Sequence, residues 1–458
     1  MKVIVCGAGQ VGTSIAEQLV SEQNDVTVID QSAERIRRLN DTLDVRALLG
    51  HASHPDMLER AGANGADMII AVTQFDEINM VACQVGHSLF NIPTKIARVR
   101  AQTYLQPAWS DLFSQNHLPI DLIISPEIEV ARAITRRLHV PGATDSIGFV
   151  DELVQVVAVD IDENCPLIDT PLRQLTELFP DLHIRVFGIV RGEKILTPSG
   201  DDQILVGDEV YFAVETGQTA RAMASFGHEE KEARRIVVIG GGNIGMYLST
   251  QLFEEFGNLN LKIIEISKER AEFIAEKVGK ATVLYGDSLD QEILDEANVG
   301  TAEEVIAVTN DDQVNVLSSL LAKRMGCKRV MTLVNNASYG SLMRSLGVDA
   351  VINPRAITVS RVLRQIRRGK IRAVHSVRSG LAEILEAEAL ATSPLVGKPL
   401  RDVKLPDGLI IGAVVRDRSV IIPRGDTEIQ TKDRVVVFAT RDAVRRVEKL
   451  FAVRLDFF

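Results

Sequence analysis

Two carboxylates stand where a chain could hold a ribose. Asp30 closes the apolar run Val26-Thr27-Val28-Ile29, and Glu265 closes Leu261-Lys262-Ile263-Ile264. Each follows a glycine turn: Gly7-Ala8-Gly9-Gln10-Val11-Gly12 lies 18 residues before the first acid, and Gly240-Gly241-Gly242-Asn243-Ile244-Gly245 lies 20 before the second. An apolar strand, a G-x-G-x-x-G turn, a helical pattern and then an acid at this spacing form the dinucleotide-binding fingerprint. The first glycine makes the tight turn, the second lets backbone approach a pyrophosphate, and the third lets helix pack closely on strand. The helix N-terminus adds free N–H groups and partial positive charge. A carboxylate here can accept both ribose hydroxyls, which favours NAD, ATP or ADP over a 2′-phosphorylated cofactor. The competing reading is a Rossmann-like sheet whose second copy has lost its ligand.

The other chemistry-bearing residues do not assemble into a catalytic set. His51-x-x-His54 is the only close histidine pair, in the loop after the third strand, with no third metal ligand at matched spacing. It reads as a nucleotide-loop residue and a helix-entry residue. No G-K-[ST] loop is present. Arg98 and Arg100, near the end of the fifth strand, could read extra phosphates through a guanidinium fork or be surface arginines paired to carboxylates. The aligned strand Val330-Met331-Thr332-Leu333-Val334 has no arginine, so the two halves need not take the same ligand. Asp76-Glu77, matched by Asp311-Asp312, opens a helix and either complements its dipole or holds a cation. Arg132, Arg136, Arg137 and, in the second half, Arg361, Arg364, Arg367 and Arg368 lie on basic helices. These present a solvated face or a docking surface toward the following domains or neighbouring subunits.

The elements that must position these residues alternate as strand and helix. Strands are expected at Val3–Cys6, Val26–Ile29, Arg46–Leu49, Met68–Val72, Ile96–Val99 and Leu122–Ile124. Helices are expected near 13–22, 32–40, 55–61, 77–90 and 104–115. Val- and Ile-rich strands without polar alternation are buried on both faces, as parallel strands between helix layers are. From Phe149 short strands and turns mark a small α+β module, and His228-Glu229-Glu230-Lys231-Glu232 reads as a linker. The pattern then restarts. Gly50 returns as Gly286 and Thr73 as Thr309, each 236 residues on; Pro166 returns as Pro394 at 228, and Arg191 as Arg416 at 225. The chain is a tandem duplication. Its class is α/β: Rossmann-like doubly wound domains at 1–138 and 233–366, each followed by a small α+β domain, at 139–227 and 367–458. In such a sheet a ligand sits outside the carboxyl ends of the strands, where Asp30, Gly50, Thr73 and Arg98 fall.

The composition of the 458 residues, 46% hydrophobic and 25% charged, is that of a globular protein with ample core. A net charge of −11 argues against a nucleic-acid surface. No apolar run approaches the ~18 residues of a membrane helix. The N-terminus does not read as a signal peptide, and four isolated cysteines suit a reducing cytosol. A cytoplasmic chain is expected.

The array Val3 to Gly12, Asp30, Gly50-His51-Ala52-Ser53-His54-Pro55 and Asp76 to Gln84, with Val238 to Gly245 and Leu321 to Gly326, resembles the regulator of K⁺ conductance (RCK, or KTN) domains. The doubled order is similar to that of the Trk-system potassium uptake regulatory proteins, and the similarity covers essentially the whole chain. The resemblance implies a non-enzymatic ring, a homotetramer, that binds NAD(H) and ATP or ADP. It implies a TrkH/TrkG-like potassium-translocating membrane protein as partner, with the ring peripheral on the inner face of the membrane. It assigns Gly7, Ala8, Gly9, Gln10, Val11 and Gly12 to the phosphates, Asp30 to ribose, Thr73 and Gln74 to base or ribose, and Arg98 to the same site. In the second half Gly240, Gly242, Asn243, Ile244, Gly245, Glu265, Thr309 and Asn310 correspond.

Overall fold

The computed structural model describes residues 1–179, 182–336, 339–366, 371–377 and 380–451. Two compact units partition the chain: residues 1–129 with 354–366, and 130–353 with 367–458. Arg367 and Arg368, two of the expected helix cations, lie outside the described residues, and the Arg364 side chain does too.

The first unit runs β1 (Lys2–Cys6), α1 (Gln10–Ser21), β2 (Asp25–Asp30), α2 (Ala33–Thr42), β3 (Arg46–Leu49), α3 (Pro55–Arg60), β4 (Met68–Ala71), α4 (Asp76–Phe90), β5 (Thr94–Arg98) and β6 (Leu122–Ile124), then the start of α5 (Pro126–Leu138). The six strands form one sheet in the order β3-β2-β1-β4-β5-β6, and every pair is parallel. β1 and β4 are adjacent, so the crossovers leave in opposite directions beside the first glycine turn. This is the topological switch point at which such sheets open a crevice. The helix expected at 104–115 is not there: Gln102–Leu105 and Pro107–Phe113 are short 3₁₀ turns with no buried residue. Pro107 removes a backbone donor within the pattern and splits it into two turns, from which Tyr104, Leu105 and Phe113 still pack, half-buried, against the core of the first sheet.

The second unit continues with β7 (Ala143–Phe149), β8 (Val154–Asp160), α6 (Leu175–Leu178), β9 (Ile184–Arg191), β10 (Lys194–Leu196), β11 (Asp208–Glu215) and α7 (Thr219–Ser225). These strands pair antiparallel in the order β10-β9-β11-β8-β7. A second parallel sheet follows from β12 (Arg235–Ile239), α8 (Asn243–Glu255), β13 (Asn260–Glu265), α9 (Lys268–Lys277), β14 (Thr282–Tyr285), α10 (Gln291–Glu296), β15 (Glu304–Ala307), α11 (Asp312–Met325), β16 (Arg329–Leu333), α12 (Gly340–Ser345) and β17 (Ala350–Ile352). Its order, β14-β13-β12-β15-β16-β17, repeats that of the first. After α13 (Pro354–Ile366) the chain adds β18 (Ile371–Val377), β19 (Ala382–Glu388), β20 (Leu409–Arg416), β21 (Ser419–Ile421), β22 (Arg434–Thr440) and α14 (Arg441–Leu450). Their sheet, β18-β19-β22-β20-β21, is the antiparallel module again.

Helix α13 lies in sequence within the second half, yet it packs on α1 in the first unit. Val362 and Leu363 are fully buried beside Ile15 and Leu19 in the core of the first Rossmann domain. Arg355 bonds Ser14 and approaches Glu17 at 3.7 Å, and Arg361 approaches Glu129 at 3.6 Å. In the second unit Arg137, near the end of α5, is buried and donates to Asp145 on β7 at 3.0 Å. A solvated basic face therefore does not describe Arg137. Just beyond α5, His139 stacks on Phe256 with 4.3 Å between ring centroids. Its Nδ1 lies 2.9 Å from Glu232 and its Nε2 2.9 Å from Glu255. A carboxylate on each ring nitrogen favours the charged form of the imidazole. Burial opposes the charge, but the two carboxylates outweigh it and raise the pKa above its ordinary value.

Candidate nucleotide-binding cradles

In the first cradle the turn starts at Gly7, whose φ of +108° lies in the region glycine alone enters without strain. A Cβ on Gly12 would stand 1.8 Å from the Gly7 carbonyl oxygen, so this position is closed to any side chain. At Gly9 the opposite holds: nothing lies within 4 Å of where a Cβ would be. The second cradle repeats this, with φ +101° at Gly240, a Cβ on Gly245 1.9 Å from the Gly240 oxygen, and open space at Gly242. Neither α1 nor α8 has an acid in its first turn or a side-chain cap. The N–H groups of Gln10, Val11 and Gly12, and of Asn243, Ile244 and Gly245, precede the first intrahelical bonds and are unsatisfied by the helix. Open space at the second glycine plus an uncapped helix start is what a pyrophosphate requires, and the residues fit one.

The two carboxylates sit beside these turns and organise them. Asp30 Oδ2 accepts the Ala8 N–H at 2.6 Å and Oδ1 accepts the Ser32 N–H at 2.8 Å. Glu265 makes the same bonds one methylene further out, to Gly241 at 2.7 Å and Ser267 at 2.9 Å. Each oxygen keeps a further lone pair for a ribose hydroxyl. The acid therefore fixes the turn and still keeps acceptor capacity.

Thr73 and Thr309 follow β4 and β15 as expected, and an asparagine that sequence reasoning passed over holds each. Asn79 is fully buried; its Oδ1 accepts the Thr73 N–H at 2.8 Å and lies 2.7 Å from the Thr73 hydroxyl, while its Nδ2 donates to the carbonyls of Thr73 and Arg98. Asn315 does the same for Thr309 and the Leu333 carbonyl. Each asparagine fastens two adjacent strand ends on one side of the crevice. The repeat itself carried the signal, since 79 and 315 are the same position 236 residues apart. Gln74 and Asn310 are exposed at the rim, as are Gln10 and Asn243, with Val11 and Ile244 half-buried.

Arg98 lies at the carboxyl end of β5, where its Nη2 donates to the Thr73 carbonyl at 2.7 Å. Its buried Nε has no partner among the described residues. Burial first, and Arg100 next, lower its pKa. Arg100 is the carboxylate-paired alternative: its Nε donates to Glu127 at 2.7 Å. In the second cradle no arginine takes Arg98's place, and Arg270 instead donates from Nε to the Gly241 carbonyl at 2.8 Å. The helix-opening acids divide their work. Asp76 Oδ2 accepts the N–H groups of Arg100 and Ala101, and Asp312 those of Asn335 and Asn336, tying down the segment after β5 or β16. Asp311 caps α11 through Gln313 and Val314.

Among the described residues no group of three His, Cys, Asp or Glu could hold a metal ion. His51 and His54 stack on each other with 4.5 Å between centroids, and Ser53 Oγ lies 2.9 Å from His51 Nδ1. Cys6, in β1 just before the first turn, is buried, and burial pushes its thiol up to about 12. It is no nucleophile at neutral pH.

The TrkA-N domain matches residues 3–126 and 236–354, and the TrkA-C domain matches 156–227 and 384–452. The chain belongs to the TrkA family. It is 54% identical over 458 residues to the Trk system potassium uptake protein TrkA of Azorhizobium caulinodans, covering all of both chains. To TrkA of Halomonas elongata it is 42% identical over 462 residues, again covering all of both. Family members are regulatory proteins of Trk systems and not enzymes, and this chain is one of them. Among solved structures the GsuK RCK domain superposes with a TM-score of 0.61 at 16% identity, covering 98% of this chain and 95% of that one. The GsuK channel bound to NAD gives 0.61 at 16% identity, covering 99% and 79%. At such identity these likenesses establish the RCK fold. Among the described residues no helix is long and apolar enough to cross a membrane.

Proposed function

We propose that this TrkA-family chain is the cytoplasmic nucleotide-sensing subunit of a potassium uptake system. It binds NAD(H) and ATP or ADP in its cradles, and the ligand sets the conformation of a homotetrameric RCK ring. That ring gates a TrkH/TrkG-like potassium-translocating membrane protein and stays on the inner face of the membrane through it. The chain acts as two Rossmann domains, 1–138 and 233–366, each followed by a C-terminal module, 139–227 and 367–458.

One observation carries the reading. In both halves an open glycine turn at an uncapped helix start is clasped by a carboxylate that keeps lone pairs for a ribose hydroxyl. Occupancy of such a cradle is the signal that the ring would report. The names of the relatives and the NAD- and ADP-bound GsuK structures support the same ligand class and system. In the first cradle Gly7, Ala8, Gly9, Gln10, Val11 and Gly12 would face the phosphates and Asp30 the ribose, with Thr73, Gln74 and Arg98 across the crevice. In the second, Gly240, Gly242, Asn243, Ile244, Gly245, Glu265, Thr309 and Asn310 take those parts. A ligand moves the ring only by as much as it prefers one state, and a tenfold preference corresponds to about 1.4 kcal/mol.

Titration calorimetry of the purified chain with ATP, ADP, NAD⁺ and NADH tests the first step. Binding of at least one, weakened by Asp30→Ala, is expected. If none binds, the sensing reading fails; loss of NADH absorbance with a carbonyl substrate would mean an oxidoreductase instead.

A further inference from the structure

Where the two antiparallel sheets of the second unit face each other, equivalent positions of the repeat carry residues of opposite size. A shift of 225 residues maps β9 onto β20 and β11 onto β22. In the β9–β11 and β20–β22 pairs the register slips at one residue, and the bulged residues are Phe187 and its equivalent, Gly412. They meet across the interface: a Cβ on Gly412 would lie 2.8 Å from the Phe187 ring. Phe438 covers Gly188 in the same manner, 2.5 Å from where that Cβ would be. The two rings then meet edge to face, 5.6 Å between centroids. All of this lies in one buried cluster drawn from both sheets.

The counterparts of these residues are not interchangeable. Phe438 corresponds to Ala213 and Gly188 to Ala413. Two first modules set face to face would put Phe187 on Phe187 and leave Gly188 opposite Ala213 twice, which is one clash and two voids. Two second modules would put Phe438 on the methyl of Ala413 twice and leave Gly412 opposite Gly412, which is two clashes and one void. Only a first module against a second fills both holes, and packed interiors tolerate neither error. Charge follows the same rule. Arg434 bonds Asp151 of the first module and Glu386 of its own, and Glu386 accepts the Val150 N–H at 3.0 Å. The counterparts of Arg434 and Glu386 are Glu209 and Ala158. A first–first pair would face Asp151 with Glu209, like charge on like, and leave the Val150 N–H without its acceptor.

We propose that this face is a heterotypic recognition surface: a first C-terminal module accepts a second one and rejects a copy of itself. Size exchange at 187/412 and 188/438 and charge exchange at 209/434 encode the choice. Two chains can then associate through this face only by trading first for second modules.

The test is a melting-temperature cycle on the full-length chain with Gly412→Phe, Phe187→Gly and the double variant that swaps ring and hole. Each single change is expected to lower the melting temperature by about 5 °C or more, and the double variant to recover most of that loss. A merely local need for a small residue at 412 predicts additive losses instead. A double variant that melts no higher than the worse single one overturns the proposal. Should Gly412→Phe fail to fold, Gly412→Ala with Phe187→Leu reads the same coupling at smaller amplitude, and additivity there overturns it equally.

Discussion

Within one six-residue turn, two glycines should fail differently. Gly12→Ala drives a methyl into the Gly7 carbonyl and is expected to cost about 3 kcal/mol or more of stability, measured by urea unfolding. Gly9→Ala adds its methyl to open space at an ordinary φ of −69°. It should leave unfolding within about 0.5 kcal/mol of the parent while weakening nucleotide binding at least tenfold by calorimetry. Equal binding by Gly9→Ala would mean that no diphosphate approaches there. These glycines and the two acids were legible in the sequence because each has a steric or charge reason to be that residue at that spacing. The second task of Asp30 and Glu265, holding the turn through a backbone N–H, was not legible. It depends on where the turn folds back, which spacing along the chain does not encode. The orientation of Arg98 escaped for the same reason, since only the folded strand ends bring it to the Thr73 carbonyl.

At the scale of elements, parallel order and strand positions followed from apolar runs, whereas the segment after β5 did not: Pro107 splits the expected helix into short turns whose Tyr104, Leu105 and Phe113 still reach the core. The asparagine clasp also belongs here. Asn79→Ala strips partners from the Thr73 N–H and from the carbonyls of Thr73 and Arg98. A loss of about 2–3 kcal/mol is expected in urea unfolding. A second element-scale prediction concerns pH. His139 ties the end of α5 to Glu232 in the linker and Glu255 at the end of α8. Arg136 lies near Glu255, Gln251 bonds it, and Arg234 lies over Phe256 and bonds Glu232. Because the folded pKa is raised above the unfolded ~6.5, the stabilisation is fully present below ~6.5 and is lost as pH rises through the folded value. The melting temperature of the parent should therefore exceed that of His139→Gln most at about pH 6 and by progressively less toward pH 9. A difference that grows with pH would show the ring to be neutral when bound.

For the molecule as a whole, the doubling was plain from matched offsets, since glycines, prolines and acids recur where turns and caps need them. How the duplicated parts share helices was not, because an amphipathic stripe states that it must be covered and not by which sheet. The proposed membrane association makes a prediction at this scale. Tagged chain from its native host should be recovered with the membrane fraction and bring a potassium-translocating protein with it. Expressed without that partner, it should remain in the supernatant. Recovery in the supernatant from both would remove the gating role while leaving nucleotide binding untouched.

Helix α13 sets an order of events during synthesis. The first nucleotide domain emerges from the ribosome without Val362 and Leu363, and the helix that adds them to its core arrives only after the first module and the entire second parallel sheet have been made. Until then that side of the nascent domain is incomplete, and chaperones or a neighbouring polypeptide could capture it. A first half expressed alone would lack those two core residues.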